Sequence, residues 1–119
     1  MWSAFFKDFF GVGVIAQPVS VETLEWAHAT AMQAGLWPTL ACAKAFVTTD
    51  FPRDLAAFKV PTLIIHGDAD KTVPIDATSR EAAQGIAHST LKFYEGAPHG
   101  LFASHKDRLI ADVLAYVQG

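Results

Sequence analysis

Residues 60–67 read VPTLIIHG, a short unbroken apolar run rich in β-branched side chains, with no charge between Val60 and Ile65. A proline near its start and a glycine at its end bound it. Such a run is typical of a strand buried on both faces in a parallel sheet. A parallel neighbour needs a crossover, and the residues that follow supply one. DADKTVP is a polar loop. Thr78 with Glu81 is a candidate capping box for a helix over SREAAQGIA. STLKFYEG alternates loosely and reads as a second strand. After the loop APHG, the run LFASHKDRLIADVLAYV places Leu101, Leu109, Val113 and Val117 at helical spacing. The order β–loop–α–β–loop–α predicts an α/β class, with part of a doubly wound parallel sheet in residues 58–119.

Residues 1–57 have a different pattern and read as helical throughout. WSAFFKDFF puts Phe5, Phe6, Phe9 and Phe10 on one broad apolar face, which Gly11 and Gly13 end. A loop containing Pro18 follows. Ser20 is a good N-cap for VETLEWAHATAMQAG, where Leu24, Ala27, Ala31 and Ala34 form the apolar stripe and Gly35 is the stop. Pro38 suits the first turn of the next helix, continued by TLACAKAFV, and FPRDLAAF is one more short helix. Cys42, among the alanines of TLACAKAFV, is expected to be a small core residue.

Composition excludes several classes of function. A net charge of −3 with no basic run argues against nucleic acid as a partner. No apolar stretch reaches the ~18 residues of a membrane span, and the first residues, MWSAFFKDFFG, have no basic region and are not expected to act as a signal peptide. Cys42 is the single cysteine, so no internal disulfide forms and a reducing, cytoplasmic location is expected. No metal-ligand spacing links the histidines.

In open parallel sheets the functional residues sit in loops at the carboxyl ends of the strands. Asp68 and Asp70 follow the first strand and His99 follows the second. Adjacent parallel strands would bring a carboxylate within reach of the imidazole. That pair is two thirds of a nucleophile–base–orienter constellation, in which the carboxylate fixes the tautomer and the histidine moves the proton. An aspartate after a strand also serves as a turn former or helix cap, so the spacing leaves both roles open. His66, inside the strand, reads as a hydrogen-bonded core residue. His28, His88 and His105 read as surface or partly buried positions.

VPTLIIHGDADKTVP followed by LKFYEGAPHGLFASHKDRLIADVLAYV resembles the C-terminal part of an α/β-hydrolase, and within it the cofactor-free (non-haem) haloperoxidase, aryl esterase and γ-lactamase group. AKAFVTTDFPRDLAAFKVPTLIIHGDAD matches the end of that group's helical cap and its return to the sheet. The resemblance implies a cap segment over residues 1–57 and the last two strands of the core over 58–119. It places the triad acid on Asp70 and the base on His99, with Asp68 as a turn residue. It puts the acyl pocket at Phe5, Phe9, Phe46, Thr72 and Val73, five positions that equally suit simple core packing. It implies no metal and no cofactor, and a small ester, amide or acyl substrate.

In this fold the chain order is nucleophile, acid, histidine, with the serine in a G-x-S-x-G elbow. These 119 residues contain no G-x-S-x-G. The expectation is therefore a part of a serine hydrolase or perhydrolase that carries acid and base without the nucleophile. The alternative is a non-catalytic, self-associating remnant with a small apolar ligand pocket. A homo-oligomer is expected on either reading, because the strand at Thr62–Ile65 would present an unpaired apolar edge.

Overall fold

The apolar run at 62–67 and its alternating counterpart form two parallel strands, β1 (Thr62–Gly67) and β2 (Ser89–Tyr94), paired in register from Thr62 opposite Ser89 to Gly67 opposite Tyr94. The computed structural model describes residues 2–15 and 19–119; Pro18, where the sequence places a loop, lies outside them. The element order is helix α1 (Trp2–Phe9), α2 (Val21–Ala31), α3 (Leu36–Thr48), a 3₁₀ segment (Phe51–Ala57), β1, a second 3₁₀ segment (Ile75–Ala77), α4 (Ser79–Gly85), β2, α5 (Leu101–Ser104) and α6 (Lys106–Gln118). A helical portion precedes a β-α-β-α portion, as in an α/β fold. Among the described residues β1 pairs with β2 alone. The strand expected to be buried on both faces is accordingly half-buried along Thr62–His66.

The main core joins Tyr94, Ala97 and Leu101, with Ile65 and Leu109 packed against it. This places the core under the two loops at the carboxyl ends of the strands. The four-phenylalanine face of α1 and the turn after it divides, with Phe6 and Phe10 buried and Phe5 exposed.

Several boundaries differ from the sequence expectation for local reasons. Ser20 does cap α2, its Oγ accepting from the Thr23 N–H at 3.3 Å. The helix ends at Ala31, because residues 32–34 close in tighter turns, and Gly35 caps the start of α3 instead of stopping α2. The capping box at Thr78 and Glu81 does not form. Thr78 donates its hydroxyl to the Pro74 carbonyl at 2.8 Å and makes no side-chain cap. The single C-terminal helix is broken at His105, whose backbone (φ −123°, ψ 30°) separates α5 from α6.

The inward face of α6 is Leu109, Asp112 and Tyr116, while Val113 and Val117 are exposed. A charged residue faces inward because it has partners. Asp112 accepts from the Tyr94 hydroxyl at 2.6 Å and from Lys92 Nζ at 2.7 Å, and the Arg108 guanidinium lies 3.9 Å from the Tyr94 ring centroid. Cys42 is exposed rather than buried, since α3 buries none of its residues.

Candidate active site

The two strand-end loops are sewn together by backbone geometry before any side chain is considered. The Asp68 N–H donates to the Tyr94 carbonyl at 3.2 Å and the Ala69 N–H to the Ala97 carbonyl at 3.1 Å. Asp68 Oδ1 then accepts from the Gly96 N–H at 2.6 Å. Asp68 is thus a loop fastener rather than the partner of His99.

This crossing requires the glycine that ends β1. A Cβ at Gly67 would fall inside the contact distance of the Ala97 carbonyl and 2.8 Å from the Pro98 oxygen. Without it, the 97–98 backbone lies over the strand end and carries His99 toward the β1 loop. On the other side, the Gly100 N–H donates to the Phe9 carbonyl at 2.8 Å. A Cβ at Gly100 would meet the Phe10 ring, so this glycine lets the end of α1 close against the histidine loop.

Asp70 meets His99 in this frame. Asp70 Oδ2 lies 2.7 Å from His99 Nδ1, and 2% of the Asp70 side chain is exposed. Burying a carboxylate is costly unless its oxygens are hydrogen-bonded. Here Oδ1 accepts from the backbone N–H groups of Thr72 and Val73, both at 2.8 Å. Oδ2 is also 3.2 Å from His66 Nε2. Four N–H donors therefore converge on one anion. Because a carboxylate only accepts, His99 Nδ1 carries a proton, and in the neutral ring Nε2 is the free base.

His99 Nε2 has no hydrogen-bond partner among the described residues, and a third of the side chain is exposed. The Phe9 ring stands edge-on at 4.6 Å between centroids. Beside the pair is a cavity of about 240 Å³ with apolar walls of Ile65, Leu101, Phe102 and Leu109. Such a ring can take a proton from a hydroxyl placed at Nε2 and return it, while Asp70 steadies the charged intermediate.

The other expected site residues distribute unevenly. Phe9 touches His99, and Phe5 lies one ring further out, 5.9 Å from Phe9. Thr72 and Val73 reach the pair through their backbone N–H groups. Phe46 stands apart, because α3 is uncovered. It is 69% exposed and makes no ring contact with His99 or the phenylalanines of α1 among the described residues. The close approach of His66 to Asp70 has no signal in the sequence pattern, because His66 lies in β1 and Asp70 in the loop that turns back onto it. Among the described residues no group of three His, Cys, Asp or Glu side chains is placed to hold a metal ion. No described helix is long and apolar enough to cross a membrane.

Known proteins share this fold. The family model described as serine aminopeptidase, S33 matches residues 31–106. The chain is 46% identical over 78 residues to non-heme chloroperoxidase CPO-A1 of Kitasatospora aureofaciens, covering 64% of this chain and 28% of that protein. It is 34% identical over 74 residues to the bifunctional esterase/perhydrolase DCH of Acinetobacter calcoaceticus, covering 62% of this chain and 27% of that protein. The crystal structure of bromoperoxidase from Bacillus anthracis superposes with a TM-score of 0.89 at 34% identity, over 99% of this chain and 43% of that one. The chain thus spans less than half the length of these relatives.

Proposed function

The chain belongs to the serine aminopeptidase, S33 family of α/β-hydrolases, and from that premise we propose that it carries the base and the orienting acid of an acyl-transfer site completed by a serine from outside these 119 residues. The single observation that carries the proposal is the buried Asp70 carboxylate 2.7 Å from His99 Nδ1, with Nε2 unpartnered among the described residues. His99 takes the proton of the attacking serine hydroxyl and returns it to the leaving group. The acyl-enzyme is then released by water, giving an acid, or by hydrogen peroxide, giving a peracid. A peracid passes its terminal OH oxygen to halide, yielding hypohalous acid and the carboxylate, so halide oxidation needs no metal or haem. The relatives' names, chloroperoxidase and esterase/perhydrolase, support both outcomes. Phe9 and the apolar cavity favour a small ester, amide or acyl substrate.

The test uses the chain by itself with p-nitrophenyl acetate and a fluorophosphonate serine probe. The expected result is no probe adduct and only a slow background that His99→Ala removes. An adduct on one of the chain's own serines, or turnover near the ~1–10³ s⁻¹ of ordinary enzymes, would overturn the division of labour.

A second reading, self-association without catalysis, is favoured by a separate observation. Neither α2 nor α3 buries a residue, and Trp26, Trp37, Leu40 and Phe46 are all exposed. Apolar faces of this kind are normally covered by a partner, here a second copy of the chain.

A further inference from the structure

His66 is a second imidazole on Asp70, and the acyl-transfer reading gives it nothing to do. Its ring is nearly buried, with 11% of the side chain exposed, and each nitrogen has a defined partner. Nε2 lies 2.9 Å from the Val73 carbonyl oxygen and 3.2 Å from Asp70 Oδ2. Both of these are acceptors, so Nε2 must carry a proton and share it between them. Nδ1 lies 2.6 Å from Ser79 Oγ at the first residue of α4. The serine hydroxyl can donate there, which satisfies the neutral ring completely.

We propose that His66 is a positioning residue for the Asp70–His99 pair: a neutral imidazole, held in its Nε2–H tautomer by Val73 and Ser79, that clamps Asp70 Oδ2 in the direction of His99 Nδ1. The proposal rests on reading Asp70 as the orienter of His99. The Asp70 side chain has one torsion about Cα–Cβ and one about Cβ–Cγ to fix. The Thr72 and Val73 N–H groups hold Oδ1, and rotation about the remaining axis would still swing Oδ2 away from His99. His66 blocks that rotation from the β1 side. It also joins three segments in one network, since the Val73 carbonyl that it holds belongs to the residue whose N–H holds Oδ1. Ser79 extends the network into α4. The ring acts through Asp70 and touches no reacting atom.

The test reads ring tautomers by ¹⁵N NMR in the full 119-residue chain at neutral pH, a signal that a merely space-filling role would not move. In the unsubstituted chain, His66 is expected to be protonated at Nε2 and bare at Nδ1, and His99 protonated at Nδ1. His66→Leu fills much of the same space but removes the donor, and His99 is expected to lose its single tautomer and become a mixture. His66→Gln, whose amide N–H reaches a similar position, is expected to restore Nδ1–H on His99. If His99 is the same single Nδ1–H tautomer in both variants, the positioning role is wrong while the Asp70–His99 pair stands. If His99 lacks Nδ1–H in the unsubstituted chain, the reading of the pair falls and takes this proposal with it. Should His66→Leu fail to fold, a His66 ring found protonated at Nδ1 in the unsubstituted chain would by itself overturn the proposal.

Discussion

The Ala97 carbonyl passes over the Cα of Gly67 so closely that no side chain fits between them. Two loops that are 30 residues apart in sequence are thereby pressed together, and Asp70 and His99 meet as a consequence. Gly67→Ala is expected to push the loops apart and destabilise the fold by about 1–3 kcal/mol. Urea unfolding measures the cost. An unchanged midpoint would mean that the 97–98 backbone moves aside freely.

Asp70→Asn preserves volume and keeps an oxygen for the Thr72 and Val73 N–H groups. Its amide then points a donor at His99 Nδ1, which favours a proton on Nε2 instead. The expected outcome is a reversed His99 tautomer in the ¹⁵N spectrum. In an assembled active site the same change should cost about 10⁴-fold in turnover, the scale seen when a triad acid becomes an amide. Full activity in that variant would remove Asp70 from the mechanism.

Tyr94 and Asp112 tie β2 to α6, and they titrate at opposite ends of the pH scale. Burial pushes the Tyr94 hydroxyl up to about 12, with the hydrogen bond and charge of Asp112 adding to the rise. The folded state holds this proton more tightly than the unfolded chain does. Its contribution to stability is therefore complete below the ordinary tyrosine value of 10.0 and is lost as pH climbs from there toward 12. Asp112 behaves in the opposite sense. The Lys92 ammonium, and after it the Tyr94 hydroxyl, hold its carboxyl below the ordinary 3.8, so its contribution is present above that value and disappears as pH falls through the folded one. Tyr94→Phe should cost about 1.5–3 kcal/mol at neutral pH. The gap between variant and parent should narrow above pH 10, and a gap constant across that range in thermal melts would contradict the assignment.

The exposed apolar side chains of α2 and α3, with the edge of β1 that is unpaired among the described residues, are expected to bring two or more copies together. Light scattering at micromolar concentration should report a mass above that of one chain. Trp37→Glu combined with Phe46→Lys should lower it. A monomer before any substitution would mean that these faces are not contacts between copies.

The parts of this architecture written in short-range pattern were legible in the sequence. The uncharged run at Val60–Ile65 marks β1, and the order of elements after it marks the parallel pairing. The strand-end positions of Asp70 and His99 place them in neighbouring loops. What escaped depends on three-dimensional detail that periodicity does not encode. The division of the C-terminal helix at His105 is a local backbone choice within a continuous helical pattern. The inward turn of Asp112 follows from partners on β2, whereas apolar spacing alone pointed to Val113 and Val117. The burial expected for Cys42 assumed that a stretch rich in alanine has something to pack against, and α3 does not. His66 read as a core residue because strand alternation says nothing about the loop that folds back onto it.

The account is tested most directly by supplying the serine. The 119-residue chain would be folded together with a polypeptide carrying the G-x-S-x-G elbow and preceding strands of a related haloperoxidase-type hydrolase, and p-nitrophenyl acetate turnover measured. The predicted result is turnover within the ~1–10³ s⁻¹ of ordinary enzymes, dependent on both polypeptides and abolished by His99→Ala in this one. A stable complex whose turnover is the same with His99→Ala would contradict the assignment of His99 as the base.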